Sequence, residues 1–285
     1  MNITRVGVVG GGLMGSGIAE VCARAGCEVT MVEADSARAE AAYQRVVGST
    51  GRAVARGKMT AAEQESTLAQ VTVSHDLESL SRSQLVIEAV SEVIALKLTI
   101  FERLDQLVES PETILASNTS SIPIARLGAA TTRPENVVGI HFFNPAPVMK
   151  LVEVIPAITT SEDTLKVVND FVSVHLGKSV VLCRDQAGFV VNGLVVPFLM
   201  SAVRMLEAGV ATREDIDTAV RTGLNHPMGP FELADFIGLD TIYEIGKVLY
   251  EEFRDPANAP PPLLARLVES GWTGRKSGRG FYSYL

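Results

Sequence analysis

Residues 3–9 form a short apolar run with Val6, Val8 and Val9, and the chain passes from it directly into Gly10-Gly11-Gly12-Leu13-Met14-Gly15. A helical pattern over residues 16–25 follows, stopped by Gly26, and a second β-like run over residues 27–32 ends at Glu33. Strand, G-x-G-x-x-G, helix, strand and an acid about 20 positions on is the pattern of a dinucleotide-binding βαβ unit. Each part has a reason. Gly10 permits the tight turn, Gly12 lets the backbone approach a pyrophosphate, and Gly15 lets the helix pack against the strand. The helix N-terminus, from Leu13 and Met14 on, offers N–H groups and partial positive charge to phosphates. Glu33 can accept hydrogen bonds from a ribose 2′-hydroxyl and would repel a 2′-phosphate, and no arginine follows it immediately. NAD is therefore expected over NADP. The alternative is a glycine-rich turn with no ligand.

Further strands are expected over residues 71–74, 84–90, 113–116 and 136–140. A long helical pattern over residues 36–57, with Gly48 and Gly51 weakening its middle, and a capping box Thr60-Ala61-Ala62-Glu63 separate the second and third strands. This insertion exceeds a minimal crossover. Its Arg45, Arg52, Arg56 and Lys58 make either a solvated face or a landing site for a phosphate-bearing substrate. Glu92 and Lys97 follow the fourth strand, where a parallel sheet has its ligand crevice. Ser117-Asn118-Thr119-Ser120-Ser121 ends the fifth. These side chains either face the crevice, as Asn118 and Ser120 together suggest, or cap the helix expected over residues 122–127.

The sixth strand delivers the chain to His141. Two prolines, Pro145 and Pro147, forbid regular structure through the following turn, and a β-rich run over residues 151–155 carries the chain away. A reversal centred near Pro147 sets His141 opposite Glu153. A carboxylate beside an imidazole fixes its tautomer and raises its basicity, the physical form of a general base. The bland alternative is a core histidine satisfied by a carbonyl.

Beyond residue 155 the pattern is mostly helical: residues 161–176, a last strand over 178–183, a linker at 184–188, then helices over 189–208, 212–222, 230–253 and 263–270. The fold class expected is α/β, a Rossmann-type mostly parallel sheet with a long helical insertion (residues 1–186), followed by an all-helical C-terminal domain (residues 187–285). The helix over 189–208 is apolar nearly all round, so cover from a second protomer is expected. Asn192 in its first turn is either a structural hydrogen bonder or a site residue. The tail from Gly271, with Arg275, Lys276 and Arg279 among glycines, is either a flexible phosphate-facing segment or an ordinary mobile terminus.

Composition excludes several classes. At 285 residues there is room for two domains. A net charge of −8 argues against nucleic acid or an anionic membrane surface. The three cysteines (Cys22, Cys27, Cys183) lack metal or redox spacing and read as small buried hydrophobes, and the four histidines are scattered, so no metal site is expected. The apolar stretch over residues 189–206 contains Asn192, Pro197, Ser201 and Arg204 and falls short of a clean membrane span. Met1 leads straight into a strand without a signal-peptide pattern, so a cytoplasmic location is expected.

Seven segments together resemble one family: the glycine motif at 10–15, Ser117–Ser121, His141-Phe142-Phe143-Asn144-Pro145, Leu151-Val152-Glu153, Gly188-Phe189-Val190-Val191-Asn192, His226-Pro227-Met228-Gly229-Pro230-Phe231-Glu232 and Gly278-Arg279-Gly280-Phe281-Tyr282. They are similar to the short-chain (S)-3-hydroxyacyl-CoA dehydrogenases, and the stand-alone size is most like the bacterial 3-hydroxybutyryl-CoA branch. The resemblance spans essentially the whole chain. It implies reversible oxidation of an (S)-3-hydroxyacyl-CoA, short-chain by expectation, to the 3-oxoacyl-CoA with NAD. His141 is then the base and Glu153 its orienting partner. Ser120 and Asn192 hydrogen-bond the reacting C3 oxygen or hold the substrate near His141. Glu33, Glu92, Lys97, Asn144 and Lys276 contact the cofactor, and Ser49 and Arg56 fall where coenzyme A binds. A homodimer through the C-terminal helices is implied. Three positions depart from the pattern: Glu33 for the usual Asp, Ala187 for Pro, and Gly193 where Arg often follows the asparagine. The rival readings are a dehydrogenase for carrier-protein-bound acyl groups and a non-catalytic NAD-binding protein.

Overall fold

A computed structural model describes residues 2–284. The chain divides into two compact units, one running up to Asp185 and the other starting at Gln186.

In the first unit eight strands make one sheet. They are β1 (Arg5–Val9), β2 (Glu28–Val32), β3 (Val71–Ser74), β4 (Leu85–Glu88), β5 (Ile114–Ser117), β6 (Val137–Phe142), β7 (Leu151–Pro156) and β8 (Ser179–Leu182), in the order β3-β2-β1-β4-β5-β6-β7-β8. Pairing is parallel from β3 through β6, antiparallel between β6 and β7, and parallel again between β7 and β8. The order reverses between β1 and β4, which opens the ligand crevice of a doubly wound sheet at their carboxyl ends. β4, β5 and β6 are buried at every residue, as expected of strands covered on both faces.

The helices are α1 (Leu13–Arg24), α2 (Ser36–Ala55), α3 (Ala61–Ala69), α4 (Ile94–Leu107), α5 (Ile124–Gly128) and α6 (Glu162–Asp170). α1 begins three residues earlier than its sequence pattern suggested, at the glycine turn itself. An added Cβ at Gly15 would run into the Gly10 carbonyl oxygen, so the turn and helix close only on glycine. α2 runs unbroken through Gly48 and Gly51. Its N-cap Asp35 accepts from the Arg38 N–H, and the partner helix α3 carries the full Thr60–Glu63 capping box. α4 was not anticipated, although Lys97, Ile100, Phe101 and Leu104 fall on one buried face. α6 passes into a π-helical turn, Phe171–His175.

The second unit is helical: α7 (Val191–Glu207), α8 (Arg213–Gly223), α9 (Pro230–Ile237), α10 (Leu239–Phe253) and α11 (Pro262–Glu269). The single helix expected over residues 230–253 is two. Gly238, at φ 108°, breaks it, a conformation that a side chain with a Cβ rarely adopts. Leu199, Met200, Val203, Phe231, Leu239 and Leu249 form the core.

The segment after Gly271 is tied down, contrary to the mobile-tail expectation. Buried Asp235 accepts from the N–H groups of Phe281 and Tyr282, both at 2.9 Å, and from the Tyr284 hydroxyl at 3.0 Å. Buried Asp217 accepts from Phe231 and Glu232 N–H and from the Tyr282 hydroxyl at 2.8 Å. The tail's charges are engaged as well. The Arg279 guanidinium lies 3.5 Å from the Trp272 ring centre, Arg275 lies over Phe236 and Tyr284, and Lys276 pairs with Asp240 at 2.7 Å.

Candidate active site

The strands of the first unit set a row of polar residues along their carboxyl ends. On β1 the glycine turn leads into α1, whose N-terminus has no side-chain cap and no acid in its first turn. Space around Gly12 is open, with nothing within 4 Å of a Cβ built there. A backbone so arranged suits a phosphate. Beside it lies a cleft of about 670 Å³ lined by Gly10, Gly12, Glu33, Arg38, Arg45 and His75 among others. Glu33 braces the turn, its Oε1 accepting from the Gly11 N–H at 2.8 Å. Arg38 lines the same cleft, although it is five positions past Glu33 and so escaped the sequence argument. The open Gly12, the uncapped helix and the acid at the end of β2 fit a dinucleotide.

On the far side of the switch, β6 and β7 pair in the register that puts His141 directly opposite Glu153. The side chains meet, with His141 Nδ1 and Glu153 Oε2 2.8 Å apart. Both are buried, at 7% and 1% exposure. Donation of Nδ1–H to Glu153 leaves the ring's lone pair on Nε2, the tautomer a general base requires. The Phe143 ring tilts against the imidazole, 4.6 Å between centres. The loop between the strands includes the Asn144–Pro145 cis peptide. It is anchored by Lys178, whose Nζ donates to the Ala146 and Met149 carbonyls, each at 2.7 Å.

The turn from Ser117 to Ser121 lies between these halves. It does not cap the next helix: Asp185, distant in sequence, accepts from the Ile124 and Ala125 N–H groups, each at 2.8 Å. The turn is bound to the crevice. Asn118 Oδ1 accepts from the Phe142 N–H at 2.8 Å, tying it to the residue beside His141. Glu92 Oε1 accepts from the Thr119 hydroxyl at 2.5 Å, the Ser120 N–H at 2.9 Å and the Ser121 N–H at 3.2 Å. Burial on its own would raise the Glu92 pKa. Lys97 and these donors outweigh it and hold the carboxyl below its ordinary range. Lys97 is 1% exposed, its ammonium between Glu88 at 2.7 Å and Glu92 at 3.2 Å. An ammonium so enclosed orients Glu92 and presents no surface of its own.

Ser49 and Asn144 share a second cleft, about 400 Å³, with Leu13, Arg45 and Arg52. Arg56 follows α2 as its C-cap and does not line that cleft. Met14 packs against the sheet core. Asn192 sits in the first turn of α7, in the second unit, half-buried. Lys276, in the same unit, is held by Asp240. The sequence reading missed Glu88, wholly buried at the end of β4. A lone acid closing an otherwise apolar strand, Leu85-Val86-Ile87-Glu88, was the available signal.

Among the described residues no helix is long and apolar enough to cross a membrane. The family model for the 3-hydroxyacyl-CoA dehydrogenase NAD-binding domain matches residues 5–186, and that for the C-terminal domain of the same family matches residues 188–284. The chain is 55% identical over 282 residues to a 3-hydroxybutyryl-CoA dehydrogenase of Mycobacterium tuberculosis, covering 99% of each. It is 44% identical over 290 residues to the human mitochondrial hydroxyacyl-coenzyme A dehydrogenase, covering 99% of this chain and 91% of that protein. The crystal structure of the (S)-3-hydroxybutyryl-CoA dehydrogenase of Ralstonia eutropha superposes with a TM-score of 0.95 at 42% identity, covering 100% of both chains. The chain belongs to the 3-hydroxyacyl-CoA dehydrogenase family, NAD-dependent oxidoreductases acting on a CH–OH group.

Proposed function

We propose that this enzyme interconverts short-chain (S)-3-hydroxyacyl-CoA, 3-hydroxybutyryl-CoA foremost, and 3-oxoacyl-CoA. The observation that carries the proposal is the 2.8 Å His141–Glu153 hydrogen bond at the carboxyl edge of the sheet. His141 Nε2 takes the proton of the C3 hydroxyl, and Glu153 stabilises the imidazolium that results. Bound NAD would supply the hydride acceptor for C3. Proton and hydride together account for the two hydrogens the alcohol loses. Positioned base catalysis contributes about 10²–10⁴-fold.

Ser120, its backbone held by Glu92, orients the C3 oxygen, and Asn192 is a second hydrogen-bond partner for it. Gly10, Gly12, Leu13, Met14 and Gly15 hold the pyrophosphate and Glu33 the adenosine ribose. Glu92, Asn118, Asn144 and Lys276 support the remainder of the cofactor, Lys97 acting through Glu92. Ser49 and Arg56, on and just beyond α2, bind coenzyme A, with Arg45 and Arg52 supplying charge. Residues 1–186 serve the cofactor and residues 187–285 the substrate and dimerisation. A homodimer through the helical unit is supported by exposed apolar residues there, Leu194 at 71% and Leu224 at 61%. The working compartment is the cytoplasm.

The test is oxidation of NADH or NADPH by acetoacetyl-CoA, longer 3-oxoacyl-CoAs and the acetoacetyl group on a carrier protein. The proposal expects the highest kcat/KM with acetoacetyl-CoA and NADH. Turnover confined to the carrier-protein substrate, or none with any acyl-CoA, contradicts it.

A further inference from the structure

Glu88 takes no part in the chemistry above, yet one carboxylate holds the Ser117–Ser121 turn by two routes. Its Oε2 accepts from the Ser117 hydroxyl at 2.6 Å, and Ser117 Oγ accepts from the Thr119 N–H at 3.1 Å. Its Oε1 accepts from Lys97 at 2.7 Å and from the Val90 N–H at 2.6 Å. Lys97 reaches Glu92, which gathers the donors of residues 119–121. Asn118, inside the same turn, is tied to the Phe142 N–H one residue past His141. The two routes thus fix Ser120 from both ends, on a turn that is itself hydrogen-bonded to the histidine strand.

Burying the Glu88 carboxylate against the Lys97 ammonium is costly, while Glu92, which shares that ammonium, keeps 38% of its side chain exposed. A well-packed apolar pair of similar volume is often as stable or more so. Anchorage of α4 to β4 therefore does not account for the arrangement, whereas sub-ångström control of a reacting group does.

We propose that Glu88 is a positioning residue of the dehydrogenase reaction, acting through Ser117 and through Lys97–Glu92 to hold Ser120 in register with His141. The inference rests on the reading of Ser120 as the group that orients the C3 oxygen. Gln at position 88 keeps the shape but loses the charge, and because Lys97 donates to both Glu88 oxygens, at 2.7 and 2.9 Å, the amide nitrogen faces the ammonium in either orientation and weakens the Lys97–Glu92 route.

The test is a double-mutant cycle in the full-length enzyme, with kcat and KM for acetoacetyl-CoA and NADH measured for wild type, Glu88→Gln, Ser120→Ala and the double variant. Misplacement of a reacting group by about 1 Å can cost about 10²-fold; a loosened turn is expected to cost about tenfold in kcat with little change in KM. If Glu88 acts through Ser120, the double variant is no slower than Ser120→Ala alone. A merely structural Glu88 gives losses that multiply. Multiplying losses, or wild-type kcat in Glu88→Gln, overturn the inference and leave the Ser120 reading standing. Wild-type kcat in Ser120→Ala overturns both. Should Glu88→Gln fail to fold by circular dichroism, Ser117→Ala, which leaves the Glu88–Lys97–Glu92 chain intact, takes its place in the same cycle with the same outcomes.

Discussion

Glu92 in the sheet unit and Asp217 in the helical unit are both acids that gather two backbone N–H groups, with three hydroxyls at Glu92 and one at Asp217. Glu92 collects Thr119, Ser120 and Ser121, and Asp217 collects Tyr282, Phe231 and Glu232. Yet their proton affinities move in opposite directions. Burial raises both. Lys97 and the donors outweigh it at Glu92, whose pKa falls. At Asp217 the donors do not overcome burial, Glu232 adds repulsion, and the pKa rises. The difference is a buried cation. It keeps an anion ready at the edge of the nucleotide crevice, where charge bears on chemistry. In the helical unit the carboxylate is a staple for the C-terminal segment, and its charge is a liability tolerated for its geometry.

The comparison breaks most visibly if the chemistry is removed from the sheet unit. His141→Ala should lower kcat by about 10²–10⁴-fold with NAD affinity retained; calorimetric titration beside steady-state kinetics checks both. Near-wild-type turnover would remove the base assignment. Removing the cation comes next. Lys97→Met leaves Glu88 and Glu92 facing each other uncompensated, and loss of one partner of a buried pair costs about 3–5 kcal/mol. Urea unfolding followed in the sheet unit should register it, and a change below about 1 kcal/mol would mean that the trio is as weakly coupled as a surface pair. Asp217→Ala strands two backbone donors and a hydroxyl, at about 1–3 kcal/mol for each that stays buried and unpaired. An unchanged unfolding midpoint would deny the clamp. The smallest effect is on pH dependence. The folded-state pKa of Glu92 is depressed, so its contribution is full above the ordinary carboxylate range and lost as pH falls through the folded value. That of Asp217 is raised, so its penalty is relieved as pH falls. Hydrogen exchange corrected for intrinsic rates, followed from neutral pH down to well below about pH 4, should show protection lost at Ser120 and Ser121 before Phe231 and Glu232. The reverse order contradicts the assignment of Lys97 as the deciding cation.

What could be read from sequence was local. The strand–glycine–helix unit, the Thr60–Glu63 box and the reversal that faces His141 with Glu153 each lie within a window whose residues contact one another. Contacts that bridge long separations left no pattern. Asp185 caps α5 from 60 residues away, so in sequence the Ser/Thr turn stands as a rival cap. Asp235 meets Phe281 from 46 residues away, so the tail looked mobile, its arginines lacking their aromatic partners. α4 went unread because Lys97 stands in its apolar face, where a buried lysine makes sense only once Glu88 and Glu92 are beside it. The break at Gly238 was hidden for a different reason. One glycine in a helical pattern costs about 1 kcal/mol and is often tolerated, as Gly48 and Gly51 are in α2. Of the site, the paired base and the nucleotide turn were legible. The support beneath Ser120 was not.

The most direct test of the central claim, an imidazole made a base by Glu153, is the pH dependence of kcat/KM for 3-hydroxybutyryl-CoA oxidation in wild type and Glu153→Gln. The account predicts a wild-type rate that needs the unprotonated imidazole and so falls on acidification. In the variant that fall moves to lower pH, because the neutral amide no longer stabilises the imidazolium, and the plateau drops. Superimposable profiles for the two proteins would contradict it.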